Sequence, residues 1–288
     1  MEILKSESDK SVNFVESNKQ ESRFVQRVED YFIVYLSSQN GCNKACRFCH
    51  LTQTGQTEFV DATLNEYLNQ ARYPINHYKT LIDSGQKPAK KVNFNFMARG
   101  EVFSNNIVIN NASELIEKLK EEVKGLNLET TFNFSTIGPQ EIENKSFNEI
   151  FKDNKEDVMI YYSLYSTSLN FRKKWMPKSL PVSLMMEKLK SWQDEGGKIA
   201  LHWAFIEGVN DSQQDLEEII KVLDSYKLKA KFNLVRYNPY SENQGREPSE
   251  TILNKNFSIL SNYLKNTDSR IVPRVGFDVK ASCGMFVN

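Results

Sequence analysis

The chain has 288 residues, enough for one large domain or two small ones. It carries 37 Lys and Arg against 37 Asp and Glu, so the net charge is zero and a nucleic-acid partner must meet a local basic patch. No apolar run approaches about 18 residues, so no membrane helix is expected. The N-terminus lacks the basic start of a signal peptide, and the four cysteines fit a reducing cytoplasm.

Strand-like and helical segments alternate along most of the chain. Residues 1–11 are predicted to form a mobile tail, and the runs 12–15 and 23–26 a small hairpin. Further strands are predicted at 31–36, 91–97, 129–135, 158–164, 198–206 and 231–236, with a short one at 270–273. Helices are predicted at about 62–84, 112–124, 181–195, 213–226 and 251–265.

Six strands that alternate with helices predict right-handed βαβ units and a parallel sheet. Six strands are too few for a closed eight-stranded barrel, so we expect an α/β fold with a partial (β/α)6 barrel of the TIM type. The barrel is expected over residues 29–275. A tail and hairpin precede it at 1–28, and a C-terminal tail follows at 276–288.

A cysteine triplet follows the first barrel strand. Cys42, Cys46 and Cys49 form a C-x3-C-x2-C pattern at the carboxyl end of that strand, where barrel enzymes keep their chemistry. Three such thiolates can bind three corners of a [4Fe–4S] cluster and leave the fourth iron for a small molecule. A zinc site that includes His50 is the alternative, although adjacent Cys49 and His50 are awkward tetrahedral partners. The spacing resembles that of the radical-SAM superfamily, which combines such a cluster with S-adenosylmethionine (SAM).

Small and polar residues follow the other strands. Gly100 and Glu101 end the second barrel strand, and in radical-SAM proteins this Gly-Glu turn binds the SAM amino group. The hydroxyls of Ser135 and Ser163 either cap the next helix or contact the SAM ribose or carboxylate. Asn238 offers a donor and an acceptor near the same rim. The expected SAM-binding residues are Gly100, Glu101, Ser135, Ser163, Leu164, Tyr165 and Asn238.

Two further features lie outside these turns. Cys283 is the only cysteine beyond the triplet, and its place in a short C-terminal tail favours either an inert buried residue or a mobile functional thiol. The segment 172–178 is basic and contains Trp175. It is either a solvated surface or part of a cationic rim that binds RNA phosphates, with Trp175 available to stack on a base.

Together these residues resemble the RlmN/Cfr family of radical-SAM adenine methyltransferases. The matching pieces fall in the family's order over about residues 20–288. They are the cysteine triplet, Gly100-Glu101, Ser135-Thr136, Ser163-Leu164, Tyr237-Asn238-Pro239 and Ala281-Ser282-Cys283-Gly284.

The resemblance implies a mechanism and its partners. One SAM methylates Cys283, and a second SAM, cleaved at the cluster, yields a radical that activates this S-methyl group. The activated carbon then adds to an adenine ring carbon in ribosomal or transfer RNA. The family also implies a reductant such as flavodoxin or ferredoxin, and we expect a cytoplasmic monomer.

Four departures from the family pattern bear on function. Tyr35 occupies the position of the cysteine that resolves the protein–RNA adduct, and Tyr165 stands where histidine is usual. Glu21 is the nearest match to a hairpin glutamate that assists proton removal, one residue out of register. The family's N-terminal accessory domain is essentially absent. Two alternatives therefore stay open: a diverged radical-SAM enzyme with another substrate, which does not complete this methyl transfer, and a non-catalytic iron–sulfur or zinc RNA-binding protein.

Overall fold

The computed structural model describes residues 1–288. Ten strands form one sheet in which neighbours follow chain order. The strands are β1 (Glu2–Lys5), β2 (Val12–Val15), β3 (Glu21–Val28), β4 (Tyr31–Tyr35), β5 (Lys91–Phe96), β6 (Glu129–Thr136), β7 (Val158–Tyr162), β8 (Lys198–Trp203), β9 (Lys231–Val235) and β10 (Arg270–Val272). Pairing is antiparallel from β1 to β4 and parallel from β4 to β10.

Helices connect the parallel strands. They are α1 (His50–Gln53), α2 (Leu64–Asp83), α3 (Asn106–Glu122), α4 (Phe147–Ile150), α5 (Leu169–Trp175), α6 (Val182–Asp194), α7 (Gln213–Ser225) and α8 (Glu250–Leu264). The predicted partial (β/α)6 barrel is confirmed, and the short seventh parallel strand is β10. No helix combines the length and the apolar character that a membrane span needs.

Capping residues fix where two of the connecting helices begin. The Thr63 hydroxyl accepts from the backbone NH of Glu66, whose carboxylate accepts from the backbone NH of Thr63. Ser212 and Asp215 form the same reciprocal pair before α7. Each pair satisfies backbone donors that the first helical turn leaves free, so these helix starts are encoded locally.

The N-terminal residues differ from the expected tail. Residues 2–5 form β1, which pairs with β2 from Glu2 opposite Val15 to Lys5 opposite Val12. The side chains of β1 are mostly exposed, so no buried alternation marks this strand in the sequence. Backbone hydrogen bonds to β2 form it instead.

The two faces of the parallel sheet differ in polarity. The face toward the helices is apolar, and Phe94 stacks on Phe132 with ring centroids 5.2 Å apart. The inner face carries polar side chains at the alternate positions, among them Asn93, Asn95 and Asn133. Parallel strands are usually apolar on both faces because both are buried in packed cores. The alternation here therefore indicates an interior that is a polar chamber.

Candidate active site

A cleft at the carboxyl ends of the parallel strands brings together most of the residues singled out above. Its space of about 1000 Å³ includes a part open to solvent. The ten predicted cofactor or metal residues and the expected methyl carrier make eleven residues, and all but one of them line this cleft. Those that line it are Cys42, Cys46, Cys49, Gly100, Glu101, Ser135, Ser163, Tyr165, Asn238 and Cys283. Leu164 does not: its side chain is buried in the hydrophobic core.

The three cysteines of the triplet line the cleft as free thiols. No three His, Cys, Asp or Glu side chains converge on the position of a single metal ion. Tetrahedral zinc, with Zn–S bonds of about 2.3 Å, would need its ligand atoms within about 4 Å of one another. The ring Nε2 of His50 lies 3.0 Å from the backbone oxygen of Asn238, a bond that already engages it. The triplet therefore fits a cluster in which each cysteine binds a different iron better than it fits zinc.

Burial controls the protonation of these thiols. It raises the pKa of Cys42 to about 12, with a further rise from the neighbouring Cys49. Burial also raises the pKa of Cys46 and of Cys49. A bound cationic centre would supply the charge that stabilises the thiolates, so the donor set is suited to a metal cluster.

Glu101 is a buried carboxylate at the opposite wall of the cleft. Its Oε1 accepts from the Thr136 hydroxyl at 2.7 Å, and its Oε2 accepts from the Ile137 backbone NH at 3.2 Å. Burial raises the pKa of Glu101 to about 7 despite these hydrogen bonds. Gly100 before it has φ +92°, and a Cβ there would lie 2.8 Å from the Gln39 backbone nitrogen. Only glycine fits this turn, which leaves an oriented carboxylate at the cleft wall.

Cys283 lies on an anchored segment rather than on a mobile tail. The Asn238 side-chain amide donates to the Cys283 carbonyl at 3.0 Å, and the His50 backbone NH donates to the Gly284 carbonyl at 3.1 Å. The Cys283 side chain lines the cleft and is exposed to the solvent there. Burial within the protein raises its pKa to about 11, and the charges of Arg23 and Arg27 oppose this rise.

Glu21 belongs to a buried ionic cluster that anchors the same segment. Its Oε2 accepts from Arg23 Nη2 and its Oε1 from Arg99 Nε, both at 2.8 Å. The Val287 backbone NH also donates to Oε1 at 2.9 Å. Burial acts to raise the pKa of Glu21, but the charges of Arg23 and Arg99 outweigh it and lower that pKa below its usual value. Glu21 does not line the cleft, and its contacts give it an anchoring role, while its catalytic role stays a prediction.

Arg23 extends this anchor to the backbone around Cys283. It donates to the carbonyls of Ala281 at 3.1 Å and Met285 at 2.7 Å. Arg99 donates to the Val287 carbonyl. Charge-assisted hydrogen bonds are stronger than neutral ones, so these contacts fix the segment on both sides of the thiol.

Tyr165 and Ser135 are two further residues of the cleft wall. The Tyr165 ring stacks on Phe48 of the cysteine loop, with centroids 4.3 Å apart. The Ser135 hydroxyl lies 3.4 Å from the Nδ1 of His202. Tyr165 therefore supports the loop that carries the cluster cysteines.

Two residues of the basic segment 172–178 are not available to the expected cationic rim. Arg172 is buried and donates to the carbonyls of Leu164 and Leu180 at 3.1 Å. Trp175 is also buried, with the Arg47 guanidinium 5.5 Å from its ring centroid, and it is not free to stack on a base. Lys173, Lys174 and Lys178 of this segment are the cations that remain exposed.

His202 was not among the residues that the sequence singled out. It lines the cleft, and burial lowers its pKa to about 4, with the charge of Arg27 acting in the same direction. The alternation of side-chain direction along β8 could have identified it. Leu201 and Trp203 pack in the core, so Ala200 and His202 between them face the barrel interior. A polar residue in register with inward positions is a candidate for the interior of a barrel.

The chain is similar to curated proteins named dual-specificity RNA methyltransferase RlmN. It is 25% identical over 258 residues to that of Campylobacter lari, which covers 88% of this chain and 66% of the relative. It is 27% identical over 260 residues to a probable RlmN of Aquifex aeolicus, which covers 88% and 69%. The chain thus spans about two thirds of the length of the curated relatives it matches. No family model matches it.

A solved structure with this fold is that of a radical SAM methyltransferase from Sphaerobacter thermophilus. The TM-score is 0.77 at 21% identity, and the match covers 99% of this chain and 80% of the other. The fold is therefore the partial TIM-type barrel of radical-SAM proteins, as the sequence predicts. The cofactors of such proteins are a [4Fe–4S] cluster and SAM. The three free thiols and the oriented carboxylate of Glu101 in one cleft fit both.

Proposed function

Because the chain is a diverged relative of the RlmN/Cfr family, we propose that it is a radical-SAM methyltransferase acting on RNA. Its product is an adenine methylated at a ring carbon, and Cys283 carries the methyl group. The observation that carries this proposal is that Cys283 faces the same cleft as the three cluster cysteines and Glu101. A lone inert cysteine would have no need of such a position.

The residues that line this cleft have different proposed roles. Cys42, Cys46 and Cys49 would bind the cluster, and Glu101 would accept hydrogen bonds from the amino group of SAM. Bound together, these cofactors supply an activated methyl group and one-electron chemistry. Cys283 accepts the methyl group on its sulfur as the thiol proton leaves. Its anchored backbone keeps that sulfur directed into the cleft.

The carrier is needed because of the chemistry of the target. A ring carbon of adenine is a poor nucleophile, so it does not displace a methyl group directly from a sulfonium. A methyl group already attached to Cys283 would instead add to the ring once one of its hydrogen atoms had been removed, which is the one-electron chemistry that the bound cofactors would supply. The RNA substrate is proposed because the similar proteins of Campylobacter lari and Aquifex aeolicus are named RNA methyltransferases.

The test is anaerobic reconstitution with iron, sulfide, SAM and a reductant, followed by incubation with ribosomal and transfer RNA transcripts in the presence of a dithiol that can release an adduct from Cys283. Nucleoside digests should contain adenine methylated on carbon, and Cys283→Ser should produce none while it retains the cluster. SAM cleavage without any methylated adenine, on every RNA offered, would overturn the proposal.

A second candidate function follows from Tyr35. No free cysteine exists outside the triplet apart from Cys283, and Tyr35 borders a cavity that also contains Cys283. A phenol cannot form the disulfide that would release an adduct from Cys283. The alternative is therefore a diverged radical-SAM enzyme with another substrate, which does not complete this methyl transfer. SAM cleavage that depends on a substrate other than RNA, without methylated adenine even when a dithiol is present, would favour it.

A further inference from the structure

A second cavity lies inside the partial barrel, toward the amino ends of the strands. It shares a boundary with the cleft, formed by Met97, His202, Val235, Arg236, Asn238 and Cys283. Its space of about 800 Å³ includes an opening to solvent. We call it the lower chamber. A substrate that reaches Cys283 can therefore extend into this space.

Amide side chains line the lower chamber. Asn93 and Asn95 come from β5, Asn133 from β6 and Asn233 from β9. The Asn133 amide donates to Asn95 Oδ1 at 2.7 Å, but the Oδ1 of buried Asn233 has no hydrogen-bond partner. An unsatisfied buried acceptor is costly, and it marks a position where a ligand donor or a water completes the site.

The charge of the chamber is positive. Five arginines line it, and no aspartate or glutamate does. Three of the five have a carboxylate partner outside the chamber wall: Arg23 with Glu21, and Arg236 and Arg274 with Glu247.

The other two arginines, Arg27 and Arg270, lack an acidic partner. Arg27 Nη2 has only the Tyr35 hydroxyl at 3.5 Å, and its buried Nε has no partner. Arg270 donates to the Tyr31 hydroxyl at 3.3 Å. This contact joins β10 to β4 across the open seam of the barrel, so the two uncompensated guanidiniums lie at the lower end of the chamber. Guanidinium groups bind phosphate oxygens through paired hydrogen bonds.

The dimensions match one nucleotide. Arg270 pairs in register with Asn233, and Val235, two residues further along β9, borders both cavities. Two residues of strand correspond to roughly 7 Å. A base near Cys283 therefore has its phosphate group within reach of the guanidiniums, while amide side chains offer donors and acceptors for base edges between them.

We propose that the lower chamber is a subsite for a phosphate group of the substrate nucleotide, bound by Arg27 and Arg270 beyond the base that faces Cys283. This inference rests on the proposed function for the nature of the substrate. The phosphate belongs either to a free mononucleotide or to an RNA chain, and both sources present the same group to the two guanidiniums.

The test is calorimetric titration of the reconstituted holoprotein with adenosine, AMP and a short adenosine-containing RNA. We expect AMP to bind at least about tenfold more tightly than adenosine, since hydrogen bonds to charged groups are the strong ones. Arg27→Gln and Arg270→Gln should each reduce this preference. Arg246→Gln, on an exposed arginine paired with Glu207 outside the chamber, is the matched control and should retain it.

The outcomes separate clearly. Arginine-dependent binding of AMP alone assigns the phosphate to a free nucleotide, whereas the same dependence for the RNA assigns it to a chain. Equal affinity for adenosine and AMP, absence of binding by both, or full AMP affinity in both variants would overturn the subsite. Arg270 is exposed, so its variant is expected to fold even if Arg27→Gln does not.

Failure of this inference is distinguishable from failure of the proposed function. Adenine methylation on RNA without any phosphate preference would remove only the subsite. Arginine-dependent AMP binding without methylation of any RNA would remove the proposed RNA activity and leave the subsite in place.

Discussion

The side-chain amide of Asn238 donates a hydrogen bond to the backbone carbonyl of Cys283, with 3.0 Å between nitrogen and oxygen. The other end of the same amide accepts from Arg274 Nε at 2.8 Å, which fixes its orientation. The loop that follows β9 therefore positions the C-terminal thiol. Asn238 also lines the cleft, and the expected contact of its side chain with SAM stays a prediction.

The first prediction concerns this contact. Asn238→Asp replaces the donor by a second acceptor, so two oxygens repel each other next to Cys283. We expect methylation of Cys283 to slow by at least about tenfold, the equivalent of one lost hydrogen bond. The iron content should not change. Mass spectrometry of the C-terminal peptide over time measures the rate, and an unaltered rate would show that Cys283 does not depend on this amide.

The cysteine triplet gives the second prediction. Alanine at Cys42, Cys46 or Cys49 should abolish cluster binding and SAM cleavage, because each thiolate binds a different iron. Cys283→Ala is the control, and it should bind iron and sulfide at the level of the unaltered protein. Iron and sulfide analysis after anaerobic reconstitution measures both. A colourless, zinc-loaded, fully folded unaltered protein would contradict the cluster.

Glu21 gives the third prediction, which separates anchoring from catalysis. Glu21→Gln leaves the buried guanidiniums of Arg23 and Arg99 without a counter-charge, and removal of one partner from such a pair destabilises by about 3 kcal/mol. Urea unfolding measures this loss. Glu207→Gln, which breaks an exposed pair with Arg246, should change stability little.

The pH dependence of this effect has a defined sign. The folded-state pKa of Glu21 is lower than its value of 4.5 in the unfolded chain, so its stabilisation is complete above pH 4.5 and is lost as the pH falls through the folded pKa. The stability difference between the two proteins should therefore shrink on acidification. A Glu21→Gln protein with full stability but no activity would restore the catalytic interpretation.

Tyr35 gives the fourth prediction. Release of substrate from Cys283 needs a thiolate that attacks its sulfur and forms a disulfide, and the phenol of Tyr35 cannot do so. The unaltered protein should stall as a covalent adduct unless a dithiol is added. Tyr35 borders the same chamber as Cys283, so Tyr35→Cys should release the product without dithiol by forming a disulfide with Cys283. Repeated turnover of this variant then needs a reductant that restores both thiols.

Denaturing gels with labelled RNA, run with and without dithiol, measure this adduct. Tyr31→Cys is the matched control on β4, because Tyr31 does not line the chamber and should not rescue turnover. Repeated turnover by the unaltered protein without any thiol would show that another group resolves the adduct.

The fold could be predicted from the sequence because its signals are local. The strands from β4 to β10 were each identified from runs of strand-forming residues, and the starts of α2 and α7 follow from capping pairs three residues apart. The helices α1, α4 and α5 were not predicted, because they are too short to show a helical period in the sequence.

The candidate site was predictable only in part, because some of its contacts join distant segments. Arg23 and Met285 are 262 positions apart, and nothing near either residue indicates their hydrogen bond. The same holds for Arg172, whose basic neighbours predicted a surface although its guanidinium binds buried carbonyls. The cysteine triplet is recognisable because its three residues lie within one loop. Hydrogen bonds between distant segments form only when the chain has folded, so the sequence does not indicate them.

The central claim, that Cys283 carries the methyl group, is tested most directly by following a label through it. The protein is first incubated with SAM that carries a deuterated methyl group and freed of that SAM. It is then supplied with unlabelled SAM, reductant, RNA and a dithiol that can release an adduct from Cys283. The account predicts that Cys283 acquires the deuterated methyl group and that the adenine methylated in the first turnover contains deuterium. An unlabelled methylated adenine, formed while the label stays on Cys283 or never appears there, would contradict it.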